Sequence, residues 1–298
     1  MKSTSQSDYT TRIERVIAAV AVSLEQEQSL PSTATLAGIA HFSPFHFMRV
    51  YRALAGESLG ATVQRLRLTR AAHLLAGSSA PIADIAGRAG FETPQAFARA
   101  FRQQFGMAPS EARTMNATEM RAAPHEPMQS QTAIRVDVVA LRPFRVVVLR
   151  NQGAYSKLNE AYGRLYAWMA ARGALESIGG IWGVPHHDGR DTPEEVAVFD
   201  CCLATSVELN AGEGVIPGEL GGGEFLRRLH IGSYQQLEEA QDALFGEWCS
   251  RPQWKLREAP ILHEYLNDPD ETPEADLRAN IYVPIRESDD VAQPRTAP

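Results

Sequence analysis

The feature that most constrains this chain is a short segment that occurs twice. Residues 36–42 read LAGIAHF, residues 85–91 read IAGRAGF, and the second copy begins 49 residues after the first. Each copy is followed by a hydroxyl residue and a proline. This pair is typical of a helix start, because the hydroxyl caps free backbone N–H groups and proline fits the first helical position. A short apolar helix, a turn and a second capped helix form a helix-turn-helix. The sequence therefore predicts two helix-turn-helix units.

The second helix of each unit carries phenylalanine and arginine at matching positions. Phe47 and Arg49 in the first helix correspond to Phe97 and Arg99 in the second. Arginine and glutamine on an outer helix face suit hydrogen bonds to base edges and phosphates. A bundle of paired helices with solvated arginines is the alternative, but the repetition favours binding to double-stranded DNA. We predict these DNA-contacting residues: Phe45, His46, Met48, Arg49, Arg52, Gln95, Arg99 and Arg102.

A long helical pattern over residues 58–76 separates the two units. Such a linking helix holds two recognition helices at a fixed separation, and successive major-groove faces lie about 34 Å apart. Because one chain carries both recognition helices, no symmetry partner is required. We expect a monomer on an asymmetric DNA site.

Charge is distributed unevenly along the chain, whose formal net charge is −7. Residues 1–122 contain 13 Lys/Arg and 9 Asp/Glu, whereas residues 123–298 contain 16 and 27. A basic half neutralises phosphates while an acidic half stays off the duplex. An uneven solvated surface is the alternative explanation for the charge alone.

Several other classes of protein find no support. The chain has no apolar run near the roughly 18 residues that span a bilayer, and its polar start lacks a signal-peptide core. Three cysteines, two of them adjacent, form neither a disulfide framework nor a zinc pattern, so we expect a cytoplasmic protein. His186, His187 and Asp188 lack a third ligand at metal spacing, and residues 221–223 lack the lysine of a phosphate loop. We predict neither metal nor cofactor.

The segment GFETPQAFARAFRQQFGMAPSEAR, residues 90–113, resembles the signature of the AraC/XylS family of bacterial regulators. Residues 43–68 and 81–91 fit the same family, and the resemblance covers about residues 11–115. It implies a seven-helix, two-subdomain DNA-binding domain and admits RNA polymerase as a further partner. It also implies base contacts from Phe45, Met48, Arg49, Gln95 and Arg99, and we assign Arg52 to phosphate. His41 stands where the second copy has Gly90, and histidine tolerates a left-handed turn at slight strain.

A second repeat lies in the C-terminal half. Residues 153–161 (GAYSKLNEA) match residues 232–240 (GSYQQLEEA), and the two copies of Thr-Pro-Glu at 192–194 and 272–274 continue the match. Each copy predicts a strand, a helix and two further strands. Two copies predict one antiparallel sheet with both helices on one face and a groove along the pseudo-twofold axis.

Residues 263–285, HEYLNDPDETPEADLRANIYVPI, resemble the GyrI-like effector-binding fold, and the resemblance extends over about residues 132–286. An AraC-type DNA-binding domain followed by this fold is similar to the Rob type of regulator. The fold class predicted is therefore α, with two helix-turn-helix subdomains joined by a linking helix, followed by an α+β domain of two strand-helix-strand-strand repeats.

Glu264 stands where the other copy of the repeat has Val184. The resemblance implies a glutamate on this strand at the floor of an aromatic cavity, where it contacts cationic or polar ligands. Aromatic faces and a carboxylate suit a lipophilic cation, whereas core packing and a solvent-facing glutamate are the ordinary alternatives. The predicted effector-binding residues are Glu264, Tyr155, Tyr162, Trp182, Tyr265 and Tyr282.

The resulting hypothesis is a transcriptional regulator, not an enzyme, that binds DNA and a small-molecule effector. We predict a DNA-binding domain over 1–115, a linker over 116–131, an effector domain over 132–288 and a disordered tail over 289–298. One alternative is a hydrolase in which Glu264 and a cavity tyrosine act on water. The other is a module that binds protein rather than ligand.

Overall fold

The computed structural model describes residues 4–114, 135–154, 157–188, 190, 192–249, 251 and 253–287, without the side chains of 4–7, 44 and 45. The chain divides into two compact units by its contacts. The first unit comprises Met1–Asp8, Phe45–Ala53 and Ser130–Pro298, and the second comprises Tyr9–Pro44 and Leu54–Gln129. The predicted linker, 116–131, and the predicted tail, 289–298, lie outside the described residues.

The part of the chain before residue 115 is helical. Its helices are α1 (Thr4–Glu25), α2 (Thr33–Ile39), α3 (Pro44–Ala55), α4 (Leu59–Gly77), α5 (Ile82–Arg88), α6 (Pro94–Phe105) and α7 (Pro109–Ala112). This confirms the helical N-terminal region, with α2 and α3 forming one helix-turn-helix and α5 and α6 the other. No helix in the described ranges has the length and hydropathy to cross a membrane.

Hydroxyl side chains define where three of these helices begin. The side chains of Ser32, Ser58 and Thr93 accept hydrogen bonds from the backbone N–H groups three residues further on. Each such cap contributes about 1 kcal/mol. At Thr93 the next residue is Pro94, as the repeat predicted.

The turns of the two helix-turn-helix units have the same geometry. Phe42 N donates to Ala37 O at 3.0 Å, and Phe91 N donates to Ala86 O at 3.0 Å. His41 adopts a φ of 54° and Gly90 a φ of 78°, both in the left-handed region. Histidine there confirms the expected local strain, since residues with a Cβ seldom adopt positive φ.

The second helix-turn-helix has its own aromatic core. Phe97, Phe101 and Phe105, one helical turn apart on α6, pack with Leu68 and Leu75 of α4. The ring centroids of Phe101 and Phe105 are 4.6 Å apart. Because all three rings lie on one face, the remaining face of α6 is left to polar residues.

From residue 135 to residue 287, the described residues form a nine-stranded antiparallel sheet with two α-helices. The strands are β1 (Asp137–Leu141), β2 (Phe144–Gln152), β3 (Ile178–Pro185), β4 (Val198–Thr205), β5 (Val215–Leu220), β6 (Gly223–Ile231), β7 (Trp254–Leu256), β8 (Leu262–Tyr265) and β9 (Arg278–Glu287). The helices are α8 (Leu158–Ala170), between β2 and β3, and α9 (Leu237–Cys249), between β6 and β7. The α+β class is confirmed.

The strand order is β1-β6-β9-β8-β3-β4-β2-β5, and β7 pairs with β9. The two halves meet where β8 pairs with β3, so that Trp182 lies opposite Glu264.

Each face of the sheet is buried by a different set of side chains. Phe199 and Cys201 pack with Leu165 and Trp168 of α8 on one face. Cys202 packs with Trp182, Val184, Leu262 and Tyr282 on the other, which we call the aromatic face. Successive residues of a strand point to opposite faces, which explains the separation of the adjacent Cys201 and Cys202.

Candidate functional site

The polar face of α6 is open to solvent. Gln95, Arg99 and Arg102 are exposed, whereas Phe97 and Phe101 on the opposite face are fully buried. Gln95 lies in the first turn of the helix, and Arg99 follows one turn later. The Gln95 amide, which both donates and accepts hydrogen bonds, and the Arg99 guanidinium, which donates them, therefore lie on the same side of the helix. A helix that enters a major groove requires such groups on one face.

Arg49, the counterpart of Arg99 on α3, is buried, and so is its neighbour His46. His46 is 2% exposed and Arg49 4% exposed. Arg49 Nη2 donates to Pro185 O at 2.9 Å and to His187 O at 3.2 Å. These carbonyls belong to the same unit as α3, so the guanidinium is engaged within the protein.

His46 is held in the same way. Its Nε2 lies 3.1 Å from Arg257 O, and its ring lies against Phe245, with centroids 6.4 Å apart. Burial lowers the pKa of His46 to about 4. The ring is therefore neutral near pH 7, and Nε2–H donates to the carbonyl. Met48 is half-buried, and the side chain of Phe45 lies outside the described residues.

Arg52, which we assigned to phosphate, lies beside a buried carboxylate. Its Nε is 3.4 Å from Asp188 Oδ2, and Asp188 also receives Arg190 Nη2 at 2.7 Å. Burial raises the pKa of Asp188, but the hydrogen bonds of Arg190 and the charge of Arg52 outweigh it and lower that pKa below its usual value. Asp188 is therefore ionised, and α3 carries an ion pair in addition to its hydrogen bonds.

The neighbouring histidines bind separate partners. His186 Nε2 lies 2.7 Å from Asp200 Oδ2, and His187 Nδ1 accepts a hydrogen bond from Val198 N at 3.1 Å. The His-His-Asp segment thus serves local structure and the contacts of α3.

A cavity of about 840 Å³ lies between α8, α9 and the helix-bearing face of the sheet. Its aromatic wall comprises Tyr162, Tyr166, Phe199, Tyr234 and Tyr265. The Tyr265 ring makes edge contacts with the rings of Tyr162 and Tyr234, at centroid distances of 5.9 and 4.9 Å. A cavity of this size accepts a ligand of drug-like dimensions.

The hydroxyls of Tyr162 and Tyr234 in the wall already donate hydrogen bonds to the protein. Tyr162 OH donates to Trp182 O at 2.6 Å, and burial raises the pKa of Tyr162 well above its usual value. Tyr234 OH lies 2.8 Å from Asn267 O and 3.0 Å from Arg278 O. These two tyrosines therefore present uncharged aromatic rings to the cavity.

His263 on β8 is a polar residue of the cavity lining and is 3% exposed. Its Nε2 lies 3.3 Å from Gln241 Oε1 of α9. Burial, with smaller contributions from the charges of Arg49 and His230, lowers the pKa of His263 to about 3. The ring is neutral, so Nε2–H donates to Gln241 and Nδ1 is an acceptor. Nδ1 is buried and has no hydrogen-bond partner among the described residues.

Charged residues also line the cavity. Exposed carboxylates contribute to its lining: Glu194, Asp268, Asp270 and Glu274. The less exposed Glu238 lies 3.3 Å from Arg190. Arg49 of α3 is a further lining residue, so the same guanidinium contacts the cavity and the carbonyls of Pro185 and His187.

Glu264, predicted at the floor of an aromatic cavity, does not line the 840 Å³ cavity. Tyr282 OH donates to Glu264 Oε2 at 2.6 Å and Asn280 Nδ2 donates to it at 2.8 Å, on the aromatic face of the sheet. Trp182 and Tyr282, with centroids 5.5 Å apart, pack on that same face and do not line the cavity.

The physical reason is the alternation of side chains along β8. His263 and Tyr265 line the cavity, so Glu264 between them points the other way. Two consecutive residues, Glu264 and Tyr265, cannot both face one cavity, and this signal was present in the sequence. Of the other predicted aromatics, Tyr162 and Tyr265 line the cavity, whereas Tyr155 lies outside the described residues. The sequence interpretation missed His263, Gln241, Tyr166, Phe199 and Tyr234.

Comparison with known proteins identifies two families along the chain. A GyrI-like small molecule binding domain matches residues 135–286, about half of the chain, and a helix-turn-helix domain matches residues 36–115. The probable transcriptional regulator YgiV of Escherichia coli (strain K12) is 26% identical over 152 residues, which are 50% of this chain and 95% of that protein.

Two further relatives match the helical part. The right origin-binding protein of Escherichia coli (strain K12) is 36% identical over 87 residues, 29% of each chain. The multiple antibiotic resistance protein MarA of Salmonella typhimurium is 32% identical over 93 residues, 31% of this chain and 71% of that protein. The chain belongs to the AraC-type helix-turn-helix transcriptional regulators that carry a GyrI-like small molecule binding domain.

Proposed function

We propose that this regulator binds one asymmetric DNA site as a monomer and that a small molecule in the 840 Å³ cavity alters that binding. The observation that carries the DNA assignment is the face of α6. It exposes Gln95, Arg99 and Arg102 over a helix anchored by buried phenylalanines. We assign base contacts to Gln95 and Arg99 and a phosphate contact to Arg102. The regulator then acts in the cytoplasm, with RNA polymerase as its partner at the promoter.

The α3 helix provides a physical route from ligand to DNA. Arg49 Nη2 donates hydrogen bonds to the carbonyls of Pro185 and His187. A base contact by Arg49 therefore requires that these hydrogen bonds break and that bonds to the base replace them. Hydrogen bonds of a charged donor each contribute about 1.5–3 kcal/mol. Arg49 also lines the cavity, so a ligand that contacts its guanidinium changes the cost of that exchange. Ligand occupancy thereby sets how readily α3 reaches DNA.

The geometry does not favour the two alternatives. Hydrolysis by Glu264 and a tyrosine would use Tyr282, whose hydroxyl donates to Glu264 Oε2 at 2.6 Å. That pair lies on the aromatic face of the sheet and does not line the 840 Å³ cavity. A protein-binding module is expected to present a shallow polar groove. The volume and aromatic wall of this cavity instead suit a small molecule.

Selection from a random double-stranded DNA library by the whole chain tests the DNA assignment. We expect a discrete sequence preference with one chain per site by analytical ultracentrifugation. Arg99→Ala relaxes the preference at one base position and weakens the selected site by about 1–3 kcal/mol. Arg145→Ala removes an equal charge from an exposed position on β2 and is the matched control. An Arg99→Ala protein with unchanged base preference, or complexes only of two chains on a palindrome, contradicts the proposal.

A further inference from the structure

The end of β3 and the loop after it present α3 with acceptors that are chemically similar to those of DNA. Arg49 Nη2 donates to the carbonyl oxygens of Pro185 and His187 at 2.9 and 3.2 Å. The Asp188 carboxylate comes next along the chain, and Arg52 Nε lies 3.4 Å from its Oδ2. A guanine edge likewise offers an arginine two acceptor atoms, and the DNA backbone offers a negatively charged phosphate. One short segment of the protein therefore supplies both kinds of acceptor to α3.

The carboxylate of Asp188 is held by Arg190 independently of α3. Arg190 Nε and Nη2 donate to the two carboxylate oxygens at 2.9 and 2.7 Å, and Arg190 N donates to Oδ1 at 3.1 Å. A bidentate pair of this kind is the strong arrangement for arginine and a carboxylate. Asp188 is 5% exposed, and a buried carboxylate without a cation is costly. Because Arg190 supplies that cation by itself, Arg52 can leave Asp188 without creating an uncompensated charge.

The contact of Arg52 with Asp188 is the longer of the two. Arg52 Nε lies at 3.4 Å from Oδ2, whereas Arg190 Nη2 lies at 2.7 Å from the same atom. The side chain of Arg52 is 18% exposed, so part of the guanidinium is accessible to a competing anion. The sequence repeat assigned Arg52 to a DNA phosphate. The Asp188 carboxylate and a phosphate would therefore compete for one guanidinium.

We infer that the Asp188 carboxylate takes the place of a DNA phosphate beside Arg52 and thereby lowers the affinity of the whole chain for DNA. Asp188 then sets the DNA affinity and its salt dependence through Arg52, without contacting DNA itself. This inference rests on the proposed function in one respect, namely that α3 contacts DNA. Arg190, which holds the carboxylate, also lines the cavity, so one side chain joins Asp188 to the proposed effector site.

The salt dependence of DNA binding tests this exchange. Fluorescence anisotropy with the whole chain and a labelled duplex of mixed sequence gives the slope of log affinity against log salt. Each phosphate that the protein neutralises contributes about 0.9 to the magnitude of this slope. Asp188→Asn should release Arg52 to a phosphate, so the slope should steepen by about 0.9 and binding should tighten about three- to tenfold at low salt.

Three further variants separate this effect from a general change of charge. Asp200→Asn removes an equal charge from a carboxylate of similar burial, which pairs with Arg150 rather than with α3, so the slope should stay the same. Asp188→Glu keeps the carboxylate and should keep the slope close to that of the unsubstituted protein. In an Arg52→Gln background, Asp188→Asn should no longer steepen the slope, because the guanidinium that it would release is absent.

A comparison of two arginines covers the case in which Asp188→Asn fails to fold. Arg52→Gln removes a guanidinium that lies beside a carboxylate, whereas Arg102→Gln removes one from the exposed face of α6. In the whole chain the slope should fall by about 0.9 for Arg102→Gln. It should fall by less than half of that for Arg52→Gln, because Asp188 already neutralises part of the charge of Arg52.

The contrary outcomes separate the inference from the proposed function. A folded Asp188→Asn protein with an unchanged slope, the same steepening for Asp200→Asn, or a steepening that persists in the Arg52→Gln background overturns the inference and leaves DNA binding as proposed. Equal losses of slope for Arg52→Gln and Arg102→Gln do the same. An unsubstituted chain that neither binds the duplex in a salt-dependent manner nor selects a sequence overturns the proposed function together with the inference.

Discussion

The helices α3 and α6 occupy equivalent positions in the sequence repeat but differ in what their arginines contact. Arg99 on α6 is exposed, whereas Arg49, at the matching position on α3, is 4% exposed and bonded to two carbonyls. The turn geometry of the two units is alike, although Thr93 caps α6 with its side chain whereas Ser43, at the matching place before α3, has no hydrogen-bond partner for its Oγ among the described residues. A repeated sequence thus specifies the helix and its buried face, while the partner of its polar face depends on residues far away in the chain.

The two helices therefore differ in how readily their polar faces can contact DNA. The polar face of α6 is available without rearrangement. The α3 helix must give up the hydrogen bonds of Arg49 and His46 and the ion pair of Arg52 before the same side chains can meet DNA. We therefore expect α3 to contact bases only after these internal contacts break. The free energy of breaking them depends on residues that adjoin the cavity.

The largest expected effect comes from removing the partners of α3. A fragment of residues 1–120 lacks Pro185, His187, Asp188 and Arg257, so Arg49 has no carbonyls to leave. In this fragment Arg49→Ala should weaken specific DNA binding by about 1–3 kcal/mol, the magnitude of a lost bidentate base contact. In the whole chain without ligand the same substitution should have a smaller effect, since the contact already competes with internal bonds.

Arg99→Ala is the internal control of that experiment, because its loss should be equal in the fragment and in the whole chain. Fluorescence anisotropy with a labelled site gives all four affinities. An Arg49→Ala loss that is the same in both proteins would show that the internal bonds do not restrain α3, and the comparison would fail.

The next effect concerns stability in the whole chain. Arg49→Ala removes a charged donor from two carbonyls, one of the bonds being fully buried, and should lower the free energy of unfolding by about 2 kcal/mol. Arg99→Ala removes an exposed side chain and should change it by less than about 0.5 kcal/mol. Urea denaturation followed by tryptophan fluorescence measures both. Similar values for the two variants would contradict the burial of Arg49.

A third contrast appears on acidification, because α3 carries His46 where α6 carries Ala96. The pKa of His46 in the folded protein is lowered to about 4 by burial, so the unfolded chain binds its proton first. The stability due to neutral His46 is present above about pH 6.5 and is lost as the pH falls towards 4. We expect a loss of about 2–3 kcal/mol over this window.

His46→Gln isolates this contribution from that of other titrating groups. The variant keeps a donor for Arg257 O but does not titrate, so its stability should fall less steeply between pH 6.5 and 4 than that of the unsubstituted protein. Urea titrations at several pH values give the two slopes. Parallel pH profiles would show that His46 is not buried as a neutral ring.

The sequence was sufficient for the helices before residue 115, for the α+β class of the C-terminal part and for one of the two polar faces. Hydroxyl caps, the apolar spacing on α6 and the repeated turn all follow from local chemistry, so the helices and the exposure of Gln95, Arg99 and Arg102 could be predicted. The burial of Arg49 could not, since the carbonyls of Pro185 and His187 are more than 130 residues away in sequence and enter through tertiary contacts.

The cavity shows a different kind of limit. Its aromatic character and the roles of Tyr162 and Tyr265 in its wall were accessible from composition and the repeat. The choice of Glu264 weighed one unusual residue above the period of two that governs a strand. Starting from Tyr265 as a cavity residue, that period selects His263, so this lining residue of the cavity was within reach of the sequence.

The smallest expected effect is at Arg52, whose guanidinium lies 3.4 Å from Asp188 and is partly exposed. In the fragment of residues 1–120 the Asp188 carboxylate is absent, and we expect the Arg52 guanidinium to contact a phosphate. Arg52→Ala should then weaken all DNA sequences alike and lower the slope of log affinity against log salt by about one, because one fewer counterion is released. In the whole chain the slope should change less, since Asp188 already neutralises part of that charge. Arg99→Ala again serves as the contrast, because it alters base preference, which Arg52→Ala should leave intact. An Arg52→Ala fragment with an altered base preference would place this side chain on a base edge rather than on the backbone, and α3 would then enter the groove with a different face from the one assigned here.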